Sequence, residues 1–202
     1  MKITNKTDIP LALAVWLLMD EYDYIDKTNY ISVTKLMKPL KQIVLEARVN
    51  QQEQEADLED YISRALGHSL HDSVEKSWKN HYQKSLKKLG YPDSVIQRVL
   101  INPTPEQLAA TKDPIPVYLE QRGFREITVN GKTYTVGGKF DMVAEGIVHD
   151  NKSTTAYSWV FGNNDENYQL QGSLYRWINP EIITQDFIRI NFIFTDWQKA
   201  QA

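Results

Sequence analysis

Cysteine is absent from the 202 residues. That removes disulfides, thiolate zinc sites and iron–sulfur clusters at once, and it accords with a reducing cytoplasm. No apolar run is long enough to span a bilayer. The longest, residues 9–19, contains Pro10 and is followed directly by Asp20-Glu21. It also lacks a cleavage-like ending, so neither a signal peptide nor a membrane partner is expected. An excess of positive charge is missing as well. With 23 Lys+Arg against 26 Asp+Glu the formal net charge is −3, which argues against a protein that coats nucleic acid non-specifically. A nuclease stays open, because an acidic metal site adds negative charge while local basic patches hold phosphates. Internal repeats and low-complexity tracts are lacking too. The hydrophobic fraction of 42% and charged fraction of 24% are those of a soluble globular protein, and the length suits one domain with a real core.

What is present divides into two patterns. Residues 11–22 read as a helix with Leu11, Val15, Leu18, Met19 and Tyr22 on one face. Ser32 is a suitable N-cap for a helix over 33–49, which Pro39 should kink or split. Residues 50–60 are rich in Gln and Glu and read as a solvated helix face or a connection. The stretch 58–89 is strongly helical, interrupted at Gly67 and stopped by Gly90-Tyr91-Pro92. A short helix over 92–100 follows, then turns at 102–105 and 113–116. Beyond Pro116 the period becomes two. A strand runs over 117–127, and Asn130-Gly131 marks a tight hairpin. Strands over 135–144 and 147–152 flank Glu145-Gly146. A helix over 166–177 ends at Asn179-Pro180. The last strand, 187–194, is so nearly apolar throughout that a buried central place in the sheet is predicted. The expectation is a single α/β domain over 1–202. It has a central mixed β-sheet flanked by helices, a helical part over about 1–112 and a sheet part over about 113–202.

Four short motifs stand on these elements. Gly67-His-Ser-Leu-His71-Asp-Ser-Val-Glu75 lies on the long helix. Gly138-Lys-Phe-Asp141 closes one apolar segment, Asp150-Asn-Lys152 closes the next, and Gln171-Gly-Ser-Leu-Tyr175 lies on the helix that follows. If the two strands pair, Asp141, Asp150 and Lys152 converge on one small volume. Two carboxylates there suit a hard divalent cation, which would polarise a phosphodiester oxygen and acidify a water. Asp150 and Lys152 are two apart and share a strand face. Gln171 and Tyr175 are four apart and share a helix face. The plain alternative is that Asp141 and Asp150 are strand-end charges, with Lys152 an ion-pair partner.

In their order the four motifs resemble the PD-(D/E)XK nuclease superfamily, and within it the RecB-like exonucleases, which include lambda-type exonucleases and CRISPR-associated relatives. Ile31-Ser-Val-Thr-Lys-Leu36 is similar to the start of the N-terminal helix in these enzymes, so the resemblance runs from Ile31 to Phe194. It implies a restriction-endonuclease-like core. It also implies a metal-dependent DNA exonuclease or end-processing nuclease that hydrolyses phosphodiester bonds in phage recombination or replication. Mg²⁺ or Mn²⁺ would be held by His71, Asp141, Asp150 and the main-chain carbonyl of Asn151. Glu120 would be a lesser ligand, for a second ion or its waters. Lys152 would act with Asp141 and Asp150, orienting the water or stabilising charge on the phosphate. Gln171 and Tyr175 would contact the DNA backbone or position catalytic groups. DNA is the implied partner, as linear duplex or single-stranded ends. A homo-oligomer or a recombination or replication partner protein is allowed, and the setting is the cytoplasm of a bacterium or phage-infected host. The family's commoner residue at position 150 is Glu, and here it is Asp. Relatives often continue past the strand that here ends at Phe194.

Other residues have ordinary readings. His68 is a surface residue and His149 a structural one facing away from Asp150. Lys76, Lys79, Lys84, Lys87 and Lys88, interleaved with Trp78 and Tyr82, form a solvated basic face or a duplex contact. Thr154 and Thr155 are strand filler or touch a phosphate. The competing function is a catalytically inactive nucleic-acid-binding or protein-interaction module on the same fold. A sequence-specific restriction enzyme is disfavoured because no base-reading element stands out.

Overall fold

The computed structural model describes residues 2–20, 24–49, 55–162 and 164–198. In the first half, β1 (Lys2–Thr4) pairs in parallel with β3 (Glu55–Asp57) as a separate small ribbon. The helices are α1 (Leu11–Leu17), α2 (Val33–Leu36), α3 (Leu40–Glu46), α4 (Ile62–Lys88), α5 (Asp93–Ile96) and α6 (Pro105–Ala110), with a 3-10 turn over Leu58–Tyr61 leading into α4. Ser32 caps α2, its hydroxyl accepting from the Lys35 N–H. Pro39 splits the expected helix in two, as a residue without an N–H must.

The second half is built on tight turns. Asn130 (φ 51°) and Gly131 (φ 74°) reverse the chain between β5 (Ile115–Val129) and β6 (Lys132–Ala144). Positive φ at both positions matches the right-handed twist of the strands, which is why Asn-Gly drives a long hairpin. Glu145 (φ 53°) and Gly146 (φ 75°) do the same between β6 and β7 (Ile147–Thr154). The chain then crosses over through α7 (Ala156–Val160) and α8 (Asp165–Ile178) to lay β8 (Ile188–Phe194) parallel to β7. A parallel return needs such a crossover. Two strands of the helical half join this sheet. β2 (Tyr30–Ser32) pairs with β6 and β4 (Val99–Ile101) with β5, both in parallel, so the mixed sheet runs β4-β5-β6-β7-β8 with β2 added on β6.

Helices cover both faces. Val136, Phe140, Val143 and Val148 pack with Val33 of α2 and with Tyr175 and Ile178 of α8. Val99, Val117, Leu119 and Met142 pack against Trp78, Tyr82 and Leu86 of α4. Phe140 and Val143 thus lie under α8 while Met142 lies under α4, which strict alternation along a strand forbids. The pleat slips between them. The ladder runs Leu119↔Met142 and Gln121↔Phe140 and omits the pair between, Glu120 with Asp141. Glu120 has φ 50° there, a left-handed conformation that costs a residue with a side chain about 1–2 kcal/mol.

Several expectations change. Leu11 is 79% exposed and Val15 65%, while Ala14 and Leu17 are buried with Leu58 and Ala65. Nearly every residue of α1 is apolar, so its sequence offers two stripes, and packing on the 3-10 turn and α4 selects the other one. Tyr22 lies outside the described residues, as do 50–54. Gly67 does not interrupt α4, whose bonds run on from Ile62 to Lys88. The 92–100 helix ends at Ile96 and gives way to β4, and α6 and α7 were not foreseen. β8 is an edge strand, pairing with β7 alone, and its exposure alternates. It is apolar because Tyr168 and Trp159 lean on Phe192 and Phe194. Among the described residues no helix is long and apolar enough to cross a membrane.

Gly138 admits no side chain, since a Cβ there would lie 2.7 Å from Val33 Cγ2 and 2.8 Å from Tyr175 Cε1. Gly138→Ala is expected to destabilise the protein by about 1–3 kcal/mol through overpacking, read as a lower urea midpoint with an unchanged slope.

Candidate metal centre

Backbone pairing between β6 and β7 stops at Met142↔His149. The next free N–H on β7, that of Asn151, donates to Asp141 Oδ2 at 3.1 Å. A side chain thus replaces a rung of the ladder and holds the Asp141 carboxylate between the two strands. From α4, His71 Nδ1 lies 3.0 Å from the same Oδ2. The pleat slip turns Asp141 and Glu120 toward α4, and ligand atoms of His71, Glu120 and Asp141 all fall within 4.8 Å of one another. Lys139 Nζ is 2.7 Å from Glu120 Oε2.

Asp150 stands beside this trio. It is 3% exposed, and Lys152 Nζ lies 3.0 Å from its Oδ1 and 2.8 Å from its Oδ2. The shorter approach, to Oδ2, lacks hydrogen-bond alignment, so this buried oxygen has no aligned donor. The two residues share a strand face, as their spacing predicts. Asn151 takes part through its backbone, while its side chain accepts from Asn191 on β8. Tyr175 Oη donates to the Lys139 carbonyl at 3.0 Å, and Gln171 Nε2 donates to Tyr175 Oη at 3.0 Å. This pair therefore braces the Gly138–Asp141 segment from behind.

The group opens on a cleft of about 400 Å³ lined in part by Tyr30, Ser32, His71, Glu120, Asp141 and Lys152. Asp150 and Gln171 lie behind its wall. His68 and Asp72 reach its rim, so His68 is nearer the site than a surface reading implies. His149 is half-buried in the sheet, its imidazole pushed down by burial and by Arg189. Trp78 and Tyr82 stack on each other and pack on the sheet. Lys79 and Lys87 pair with Glu75 and Asp93. Thr155 spends its hydroxyl capping α7.

Electrostatics tie these groups together. The hydrogen bond to Asp141 raises His71 above its ordinary value of 6.5, against burial. Burial pushes Asp141 up, but the His71 hydrogen bond and charge, the Asn151 N–H and Lys152 outweigh it and hold the carboxyl low. Burial raises Glu120, with Lys139 opposing. Burial likewise raises Asp150 despite Lys152. With His71 protonated, three carboxylates face three cations.

The residues fit a divalent cation. The donors are hard carboxylate oxygens and one imidazole, the combination suited to Mg²⁺ or Mn²⁺. Oδ2 of Asp150 is buried and has the Lys152 ammonium beside it but no aligned hydrogen-bond donor, so it has a lone pair to offer. One expectation changes in detail. Glu120, the lesser candidate, stands in the trio with His71 and Asp141, and Asp150 approaches from behind Lys152. Lys139, quoted only as a letter of the Gly138–Asp141 motif, was not foreseen as part of the group. Its place two residues before Asp141, on the same strand face, was the available signal.

No family model and no curated protein matches the chain. Among solved structures, the crystal structure of SSO0001 superposes with a TM-score of 0.53 at 18% identity, over 86% of this chain and 66% of that one. At that identity the likeness shows a shared fold alone, and the chain spans about two thirds of the length of SSO0001.

The His71–Asp141 pair has a signed pH dependence. A raised His71 contributes stability in full below its unfolded value near 6.5, and this is lost as pH rises through the folded value. A lowered Asp141 contributes above its ordinary 3.8, and this is lost as pH falls through the folded value. In metal-free protein, the stability gap between wild type and His71→Ala should be widest below His71's ordinary 6.5 and above Asp141's ordinary 3.8, and shrink as pH rises through the raised folded value of His71. Urea unfolding at stepped pH measures it.

Proposed function

We propose that the protein is a Mg²⁺- or Mn²⁺-dependent nuclease of the RecB-like PD-(D/E)XK kind, hydrolysing phosphodiester bonds at the ends of linear duplex or single-stranded DNA. The observation that carries this reading is the gathering of His71, Glu120 and Asp141 donor atoms within 4.8 Å beside the Asp150–Lys152 pair, on the motifs that resemble the family. A bound divalent ion supplies Lewis acidity toward the phosphodiester and toward a water.

The chain's own groups do the rest. His71, Asp141 and Asp150 would hold the ion, with the Asn151 carbonyl as a further oxygen, while Glu120 stands beside them paired with Lys139. His71 gives up its proton when it becomes a ligand, so metal uptake releases protons. Lys152 lines the cleft, with Asp150 buried behind it. With Asp150 engaged as a ligand, the Lys152 ammonium would be free to stabilise a phosphate oxygen or to orient a water. Gln171 and Tyr175 act as positioning residues, through the Lys139 carbonyl. A reducing bacterial or phage-infected cytoplasm is the setting this reading supplies.

Two measurements test it. End-labelled linear DNA should be degraded with Mn²⁺ or Mg²⁺ and left intact with EDTA. Asp141→Ala, Asp150→Asn and Lys152→Ala should each lower the rate by at least about a hundredfold, the upper end of what an outer-shell partner costs, with unchanged circular dichroism. DNA binding without cleavage in wild type would instead mark an inactive binding module. Separately, saturating Mn²⁺ should raise the melting temperature of wild type and of Lys152→Ala but not of Asp141→Ala. An equal shift in all three would remove Asp141 from the ion.

A further inference from the structure

Glu120 faces two claimants. It is one of the donors that converge with His71 and Asp141, and it is also held by Lys139, whose Nζ lies 2.7 Å from Oε2. Neither partner is loosely placed. The Glu120 backbone sits at φ 50° in the middle of β5, and its side chain is 17% exposed against 34% for Lys139. The main chain of Lys139 is fixed in turn by the Tyr175 hydroxyl on its carbonyl, with Gln171 behind.

Charge decides between the claimants. On the nuclease reading a first divalent ion would take His71, Asp141 and Asp150, and His71 would then count as neutral. Three carboxylates against that ion, Lys139 and Lys152 leave a surplus of one positive charge. A second divalent ion at Glu120 would add two more in a half-buried volume with no further anion from this group.

We propose that Lys139 is a built-in counter-ion that takes the place of a second cation at Glu120 and limits the centre to one divalent ion. The inference rests on the cation site of the nuclease reading and is independent of the substrate. It gives the Gln171–Tyr175 brace a second duty, because those side chains set the position from which the ammonium reaches Glu120.

The test counts ions on the full-length, metal-free chain with Mn²⁺ as probe, by calorimetric titration and electron paramagnetic resonance. Wild type should bind one Mn²⁺. Lys139→Met should bind two, with spin coupling between ions about 4 Å apart, and the second site should tighten by about tenfold or more once the like charge is gone. Lys139→Arg keeps the charge and should bind one, so two ions on Lys139→Met beside one on Lys139→Arg is the pattern that a purely structural role for Lys139 would not produce. Two ions on wild type overturn the proposal, and so does a single ion on folded Lys139→Met. If Lys139→Met does not fold, Lys139→Gln takes its place, and the wild-type count still decides. DNA cleavage assayed alongside separates the two readings. One bound ion without cleavage ends the nuclease proposal and leaves the counter-ion role standing, while no bound ion overturns both.

Discussion

Glu120, Asp141 and Asp150 approach one another from three neighbouring strands, and like charges so placed persist only if each has a positive partner. His71, Lys139 and Lys152 supply one each. Removing any one of the six charged groups leaves a neighbour under-compensated in a half-buried volume. The rest of the architecture serves this balance. α4 is long enough to pack Trp78 and Tyr82 on the sheet and still carry His71 to Asp141. α8 packs its apolar face on the other side and sends Tyr175 to the Lys139 carbonyl.

Regular sheet geometry alone would not bring these groups together. With an unbroken pleat, Asp141 would share a face with Val143 and point away from Met142. The slip opposite Glu120 turns both carboxylates toward α4, and the early end of β6–β7 pairing leaves an N–H that only Asp141 satisfies. Both features weaken the sheet locally. Strain and lost ladder bonds gathered at one spot of an otherwise regular hairpin are characteristic of functional sites. The glycines flanking that spot follow from the same crowding, since Tyr30 and Phe124 press on Gly137, and Val33 and Tyr175 on Gly138.

Much of this was legible in the chain. Asn130-Gly131 announces its hairpin because few residues accept positive φ twice in succession. Ser32 and Pro39 place a cap and a break by local hydrogen-bond logic. The spacing of Asp150 with Lys152, and of Gln171 with Tyr175, correctly predicts shared faces. Local chemistry misled where neighbours decide. The apolar α1 could not say which stripe it buries. The apolar β8 looked central because α7 and α8 lend it aromatic cover at the sheet edge. Short strands such as β2 and β4, three residues each, carry too few side chains to show a period and exist only because a long strand stands beside them.

The sequence by itself determined the mixed α/β class, the turns, and the candidate set of His71, Asp141, Asp150 and Lys152, since these depend on dihedral preference, periodicity and residue chemistry within a few positions. Tertiary structure alone decided that Glu120 joins His71 and Asp141, that Asp150 is buried behind Lys152, and that Lys139 holds Glu120. Those relations span strands and helices separated by up to about seventy residues. They arise from a pleat slip and a truncated ladder, which no single segment encodes because each is a compromise between chains packed from both sides.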